Sequence, residues 1–377
     1  MFRLRRLCQT PAVSFSRGSD AFRRRRASRS WALLAALAAG LLACGESPAI
    51  PYAADGSLDL RIVSPFPKPS ILAASTRFFE EELSARLGER LRIRSFYGGA
   101  LVGPEETLEA IGRGVADAGT GLWIYAPGRL PLGSFEYHFV FNDPDFRTQA
   151  AIKRRMFETI PALAAELAAQ NVAPPLAFGP LSPYLLLSRE PIDSLDDLRG
   201  KRVGLTPVEY VPLFRAIGAV PVLSPTSEFY ERLGLGGVDA VAISVEILYL
   251  FRLHELAPHL LDLALNTPTT MSVWLNLDYW NGLEPADREH FLEAGRRAEA
   301  RYLDLLEQEV ARARQGLRDA GIHIARFDEA SVRAWVEGMP KLARDWAQRM
   351  DRRGLPGSAV VDAYVELSER SGWRLGL

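Results

Sequence analysis

Residues 194–204 read Ser-Leu-Asp-Asp-Leu-Arg-Gly-Lys-Arg-Val-Gly. The chain then passes through a helical stretch to Gly218-Ala-Val-Pro-Val-Leu, Glu228-Phe-Tyr and Gly237-Val-Asp-Ala-Val. This passage spells a β-α-β-α-β unit. Residues 202–205 are its first strand. Pro207 and Glu209 open a helix, where proline and an acidic side chain suit the free N–H groups of the first turn. Gly218 ends that helix, and residues 220–223 form the next strand. Thr226 or Ser227 caps a second helix, with Glu228 in its first turn. Gly236-Gly237 stops it, and residues 238–243 are a buried apolar strand. Parallel strands joined by helices carry their loops at the strands' C-terminal ends, where α/β folds bind ligands.

A second unit of the same order precedes this one. Alternation marks a strand from Leu58, and Pro65-Phe-Pro-Lys-Pro is a rigid loop after it. Residues 70–87 form an amphipathic helix through Leu72, Phe78, Phe79, Leu83 and Leu87, which Gly88 terminates. A strand from Leu91 follows, then a Gly98-Gly99 turn and a helix opened by Pro104. Residues 115–119 form a small-residue strand, and Trp123-Ile-Tyr125 lies in the loop beyond it. Two similar units predict two similar domains. Residues 130–141 are rich in aromatics and read as core beneath a loop; residues 146–170 read as one helix.

Gly179-Pro180 and Pro183 interrupt an apolar strand over residues 177–188, which predicts a crossing between domains. A strand from Thr269 returns. Residues 285–319 carry the longest helical pattern, roughly 50 Å at 1.5 Å per residue, so it should lie across both domains. A short strand and two or three helices complete residues 322–373. The expected organisation is α/β, a two-domain periplasmic-binding-protein-like fold. Domain I takes residues 58–178 plus 268–290, and domain II takes residues 179–267 plus 320–377. A long helix spans both, over a cleft between them.

The 377 residues carry a net charge of −1 and are 48% apolar, which gives no global electrostatic case for nucleic acid. The start differs. Residues 1–29 are arginine-rich, and residues 31–43 are a small-apolar run too short to span a bilayer. Leu41-Leu-Ala-Cys44-Gly resembles a bacterial lipobox, in which the Cys44 thiol takes a lipid and becomes the mature N-terminus; a plain signal peptide over residues 1–44 is the alternative. Residues 45–57 read as a linker rich in Pro, Ala, Ser and Gly, a short flexible tether. The other cysteine, Cys8, lies in the segment expected to be removed, so the mature chain has no thiol for a disulfide, a metal or catalysis.

Catalytic signatures are missing from the sequence. There is no GxGxxG after a strand, no phosphate loop, no HExxH and no GxSxG. The five histidines are scattered, and Asp117, Glu228 and Asp239 sit at element ends, where they read as caps or partners. The chain therefore reads as a binding protein without cofactor or metal. A periplasmic enzyme is the alternative of a different class.

Five segments, in order, carry a family resemblance: residues 105–117, residues 192–203, Gly218-Ala-Val-Pro-Val with Ser227-Glu-Phe-Tyr, Gly237-Val-Asp, and Trp274-Leu-Asn-Leu-Asp-Tyr-Trp280. Together they resemble the solute receptor of a tripartite ATP-independent periplasmic (TRAP) transporter, over roughly residue 58 to the end. The resemblance implies two hinged α/β domains that close on a small ligand, usually an organic acid. It also implies delivery to membrane permease subunits driven by an ion gradient. A binding lipoprotein of an ATP-driven or sensory system is the near alternative.

Two positions depart from the family. Its usual Arg falls on Gly204, and its usual Asn on Ile243. Arg suits such a place because its planar fork pairs with a carboxylate; glycine and isoleucine cannot. The cleft candidates implied by the resemblance are Phe66, Tyr97, Trp123, Tyr125 and Trp274 from one side. From the other come Tyr184, Thr206, Tyr210, Ser244 and Glu246, with positions Gly204 and Ile243. Aromatic walls with few cations suit a larger, partly apolar or neutral ligand.

Overall fold

Each of the two sequence units builds a sheet of its own, and the order of the three parallel strands is the same in both. The computed structural model describes residues 51–263, 265–322, 324–326 and 341–373. The expected signal segment, Cys44 and the first part of the linker lie outside the described residues.

In chain order the first unit runs β1 (Leu58–Val63), α1 (Ile71–Leu87), β2 (Leu91–Phe96), α2 (Thr107–Gly112) and β3 (Ala118–Leu122). Ser70 caps α1 by accepting the Leu72 N–H, and Gly88 ends it at φ 52°. The small-residue strand begins three residues later than the sequence suggests, because Gly114 closes a turn first. Next come α3 (Phe146–Thr159), α4 (Pro161–Ala168) and β4 (Ala177–Pro180). The single helix expected over residues 146–170 is broken at Ile160, which is extended at φ −112°, ψ 93°. A residue before proline is pushed out of the helical region.

The second unit runs β5 (Tyr184–Ser188), β6 (Arg202–Leu205), α5 (Val211–Ala216), β7 (Val220–Leu223), α6 (Phe229–Gly234), β8 (Ala240–Ser244), α7 (Val245–Leu250) and β9 (His259–Asp262). The chain returns as β10 (Thr269–Leu275) and α8 (Leu277–Gly282). It ends with α9 (Pro285–Asp319), β11 (Ile324–Arg326), α10 (Leu342–Arg352) and α11 (Gly357–Arg370).

The sheets are ordered β2-β1-β3-β10-β4 and β11-β9-β5-β8-β6-β7. Thus β2-β1-β3 matches β7-β6-β8, all parallel. Beside each triplet lies one antiparallel strand, β10 on β3 and β5 on β8. These two strands are the ends of the crossings. β4 finishes at Pro180 in the first sheet and β5 starts at Tyr184 in the second.

Helix α9 packs on α1 of the first unit and on α7 of the second. Glycine permits a close approach to each unit: a Cβ on Gly295 would lie 2.2 Å from the carbonyl oxygen of Leu176, just before β4, and one on Gly316 would lie 2.3 Å from the Tyr249 hydroxyl of α7.

Two expectations need correction. The reading placed residues 320–377 with the second domain. Among the described residues of that stretch, β11 pairs with β9 of the second unit. Helices α10 and α11 pack instead on α3 and the turn Phe135–His138, around Phe135, Phe139, Met156, Trp346, Val361 and Tyr364. The described end of the expected tether is also structured. Pro51 is buried, Tyr52 bridges Leu58, and its hydroxyl donates to Asp287 at 2.7 Å. No helix among the described residues is long and apolar enough to cross a membrane.

Candidate functional site

Residues following β1, β3 and β6 and ending β8 line one cavity of about 570 Å³. The first unit supplies Pro65, Phe66, Pro67, Leu72, the loop Gly103 to Glu106, Leu122, Ile124 and Tyr125. The second supplies Thr206, Pro225, Thr226, Ser227, Ile243, Ile247 and Phe251. Leu181, Tyr184 and Thr270, from the two crossings, complete it.

The wall is mainly apolar, and its polar groups are chiefly hydroxyls. Thr206 Oγ1 donates to the Ser224 carbonyl at 3.3 Å and shares a bond with the Thr226 hydroxyl at 3.0 Å. Tyr125 comes from the 3₁₀ turn after β3. Burial, then the nearby Glu105 charge, pushes its hydroxyl up to about 12; the Thr226 backbone N–H, reaching it from the other unit, opposes the rise. Burial, then the Glu246 charge, raises the Tyr184 hydroxyl, which lies beside Thr270. Tyr137 donates to Thr270 from behind at 3.3 Å. Glu105 and Glu106 stand exposed on the rim. No Lys, Arg or His is among the described residues of the wall.

Of the sequence candidates, the cavity brings together Phe66, Tyr125, Tyr184, Thr206 and Ile243. The others lie elsewhere, for identifiable reasons. Trp123 and Trp274 are fully buried, edge to face at 5.1 Å; Trp123 Nε1 donates to Ser272, and the Trp274 ring covers the face of Gly121. Tyr210 is fully buried and donates to Asn266. Tyr97 donates to Glu80 at 2.8 Å, under the Lys68 ammonium. Ser244 is buried at the end of β8. Glu246 is buried and turned to Ser182, accepting its N–H at 3.0 Å and its hydroxyl. Burial pushes the Glu246 carboxyl up, and these bonds oppose the rise.

Gly204 also misses the cavity. A Cβ there would lie 2.9 Å from Val241 and 3.3 Å from Phe229, inside the second core. The strand-end position that does reach the wall is Thr206, two residues on. The sequence reading missed Leu181, Ile247, Phe251, Thr270 and the loops at Pro104 and Pro225 as wall residues. The usable signal was already present: each loop joins a strand's C-terminal end to a helix start. Pro104 opens its turn as expected, whereas the expected cap by Thr226 or Ser227 is replaced by a turn over Thr226–Glu228 that follows Pro225 and has no side-chain cap.

Side chains pin the crossings behind the cavity. Glu246 holds the outgoing segment through Ser182. The returning segment is held by Asn266, whose Nδ2 donates to the Glu136 carbonyl at 2.8 Å while its oxygen accepts from Tyr210. Thr267 N–H donates to Asn142 at 2.7 Å, and Thr269 donates to the Glu136 carboxylate through both N–H and hydroxyl, each at 3.2 Å. The crossings are therefore held by polar contacts while the cavity wall is mainly apolar.

Two α/β units walling one cavity agree with what the chain resembles. Residues 65–349 match the family of bacterial extracellular solute-binding proteins, family 7 (DctP). The chain belongs to this family. The C4-dicarboxylate-binding periplasmic protein DctP of Rhodobacter capsulatus is 24% identical over 295 residues, 76% of this chain and 85% of that protein. A TRAP periplasmic solute-binding protein from Desulfovibrio salexigens superposes with a TM-score of 0.71 at 22% identity, covering 83% of this chain and 96% of that one. DctP7 of Bordetella pertussis, an extracytoplasmic solute receptor binding pyroglutamic acid, superposes with a TM-score of 0.70 at 21% identity, covering 82% and 99%. At such identities these structures share the fold with this family member.

Proposed function

We propose that this chain is an extracytoplasmic solute receptor. It captures a small organic solute between its two domains and delivers it unchanged to the membrane permease of a TRAP-type secondary transporter. The supporting observation is a single cavity walled by both units and by the two crossing segments, so that closing the hinge would enclose whatever occupies it. Phe66, Tyr125, Tyr184, Thr206 and Ile243 touch the solute in this reading. The related R. capsulatus and B. pertussis receptors, named for a C4-dicarboxylate and for pyroglutamic acid, support an organic solute. Export by residues 1–44 and a lipid on Cys44 would hold the receptor at the membrane.

The test is reconstitution with the neighbouring permease subunits in vesicles, with mass spectrometry of the co-purified compound. Uptake that needs the receptor and an ion gradient, with the compound returned intact, is expected. Uptake that requires ATP, or a chemically altered compound, would overturn the reading. Cys44→Ser should release the protein from washed membranes.

A further inference from the structure

The cavity is built against anions, in three independent ways. First, its wall carries hydroxyls and carboxylates without a cation among the described residues. The cations next along the chain are already occupied: Lys68, two residues from Phe66, bonds Glu80 at 3.0 Å, and Arg252, beside Phe251, bonds Glu255 at 2.7 Å. Second, helix starts that could offer N–H groups to an anion carry carboxylates of their own. Glu105 and Glu106 occupy the turn before α2 and belong to the wall; Glu228 in the turn before α6 is paired with Arg232, and Glu246 in the first turn of α7 is turned to Ser182, so both lie outside it. Glu106 already accepts the Gly103 N–H at 3.0 Å. Third, the wall is largely Phe, Leu, Ile and Pro, so an ion placed there would lose water and gain at most neutral hydroxyl partners, with no opposite charge.

We propose, resting on the receptor reading above, that the solute is uncharged: an apolar, ring-sized or larger body bearing a hydroxyl or carbonyl group. The oxygen meets the Tyr125, Tyr184 and Thr270 hydroxyls, and the body packs on Phe66, Ile243 and Phe251. At about 570 Å³ the cavity falls within the roughly 300–1,000 Å³ of sites that enclose drug-sized ligands. A carboxylate ligand of the same skeleton is rejected.

A matched pair of fluorescent probes tests this on the exported chain. N-phenyl-naphthylamine is neutral; anilinonaphthalene sulfonate shares its skeleton and adds an anion. The neutral probe should saturate one site about ten-fold or more tightly than the sulfonate. Thr206→Arg, which places a cation on the wall, should narrow or reverse that preference. Ser227→Lys, on an exposed side chain, serves the same purpose where the first variant fails to fold. Equal or tighter sulfonate binding by the wild type overturns the proposal and leaves the receptor role standing. Failure of the neutral probe to saturate also overturns it. A co-purified compound altered on incubation sinks the receptor role instead, whichever probe is preferred.

Discussion

Arg202 and Asp239 are joined by three bonds: the Arg202 backbone N–H and Nε reach one carboxylate oxygen at 2.8 and 3.0 Å, and Nη2 reaches the other at 2.7 Å. Arg61 and Asp117 repeat the arrangement in the first unit at 2.7, 3.0 and 2.6 Å. In each unit the pair ties the first strand to the residue leading into the third. The two pairs differ in exposure. The Asp117 side chain is 4% exposed, and that of Asp239 is 30% exposed. Asp117→Ala should therefore cost about 2–3 kcal/mol, as for a buried charge-assisted network, and Asp239→Ala about 1 kcal/mol or less. Urea unfolding of the two variants decides the ranking.

Lys153 and Glu136 form a buried ion pair at 2.9 Å. Lys153 also donates to the Gly133 carbonyl at 2.6 Å and lies over the Phe135 ring. Burial pushes the Glu136 carboxyl up and the Lys153 ammonium down, and each partner opposes the other's shift. Removing one partner strands the other. Lys153→Met should cost about 3–5 kcal/mol, and adding Glu136→Gln should recover part of it. A double-mutant cycle by thermal unfolding measures the coupling. Because Glu136 also holds Thr269 of the returning segment, the single variant should loosen solute binding as well.

Much of this architecture is legible in the sequence because it rests on local signals. Glycines at turns, prolines at helix starts and apolar runs placed both sheets, both crossings and the long helix over residues 285–319. The site was less legible. Trp123 and Trp274 look like ligand platforms in the sequence, but β3 and β10 pair so that their rings meet over Gly121; that register is a long-range fact. Gly204 and Thr206 are two residues apart, and the strand ends at Leu205 as the sequence suggests, yet only Thr206 lies past that end; the position the resemblance marks as the anchor is inside the strand, where a Cβ would meet Val241 and Phe229. The attachment of α10 and α11 to the first domain depends on matching faces far apart in sequence, Ile152 and Met156 against Trp346 and Val361.

Gly295 sets where the long helix meets the first domain. Alanine is the better helix former, by about 1 kcal/mol on propensity alone. Its methyl would nevertheless lie 2.2 Å from the Leu176 carbonyl oxygen, a backbone atom that cannot rotate away. Gly295→Ala should therefore destabilise the protein by about 1–3 kcal/mol in urea unfolding, the usual cost of forcing extra atoms into a packed contact. Gly316→Ala meets only the far end of Tyr249, which can turn aside, and should cost less. Equal stability of Gly295→Ala and wild type would contradict the close approach.

Glu209 opens the turn before α5, and its side chain is largely buried. No cation is among the described groups acting on it, and burial pushes its carboxyl from 4.5 up to about 7. Below pH 4.5 folded and unfolded chains both hold the proton, and this group is neutral to stability. Between pH 4.5 and 7 the unfolded chain releases the proton first, so stability falls as pH rises. Above pH 7 the loss is complete, at about 3 kcal/mol. Glu209→Gln cannot ionise. Its melting temperature should match that of wild type near pH 4.5, pull ahead through pH 7, and stay ahead by a constant margin above it. Glu166, also pushed up to about 7 by burial, titrates in both proteins, so the difference between the two curves isolates Glu209. A difference curve that is flat from pH 4.5 to 8 would show that the carboxylate reaches water or a cation in the folded protein.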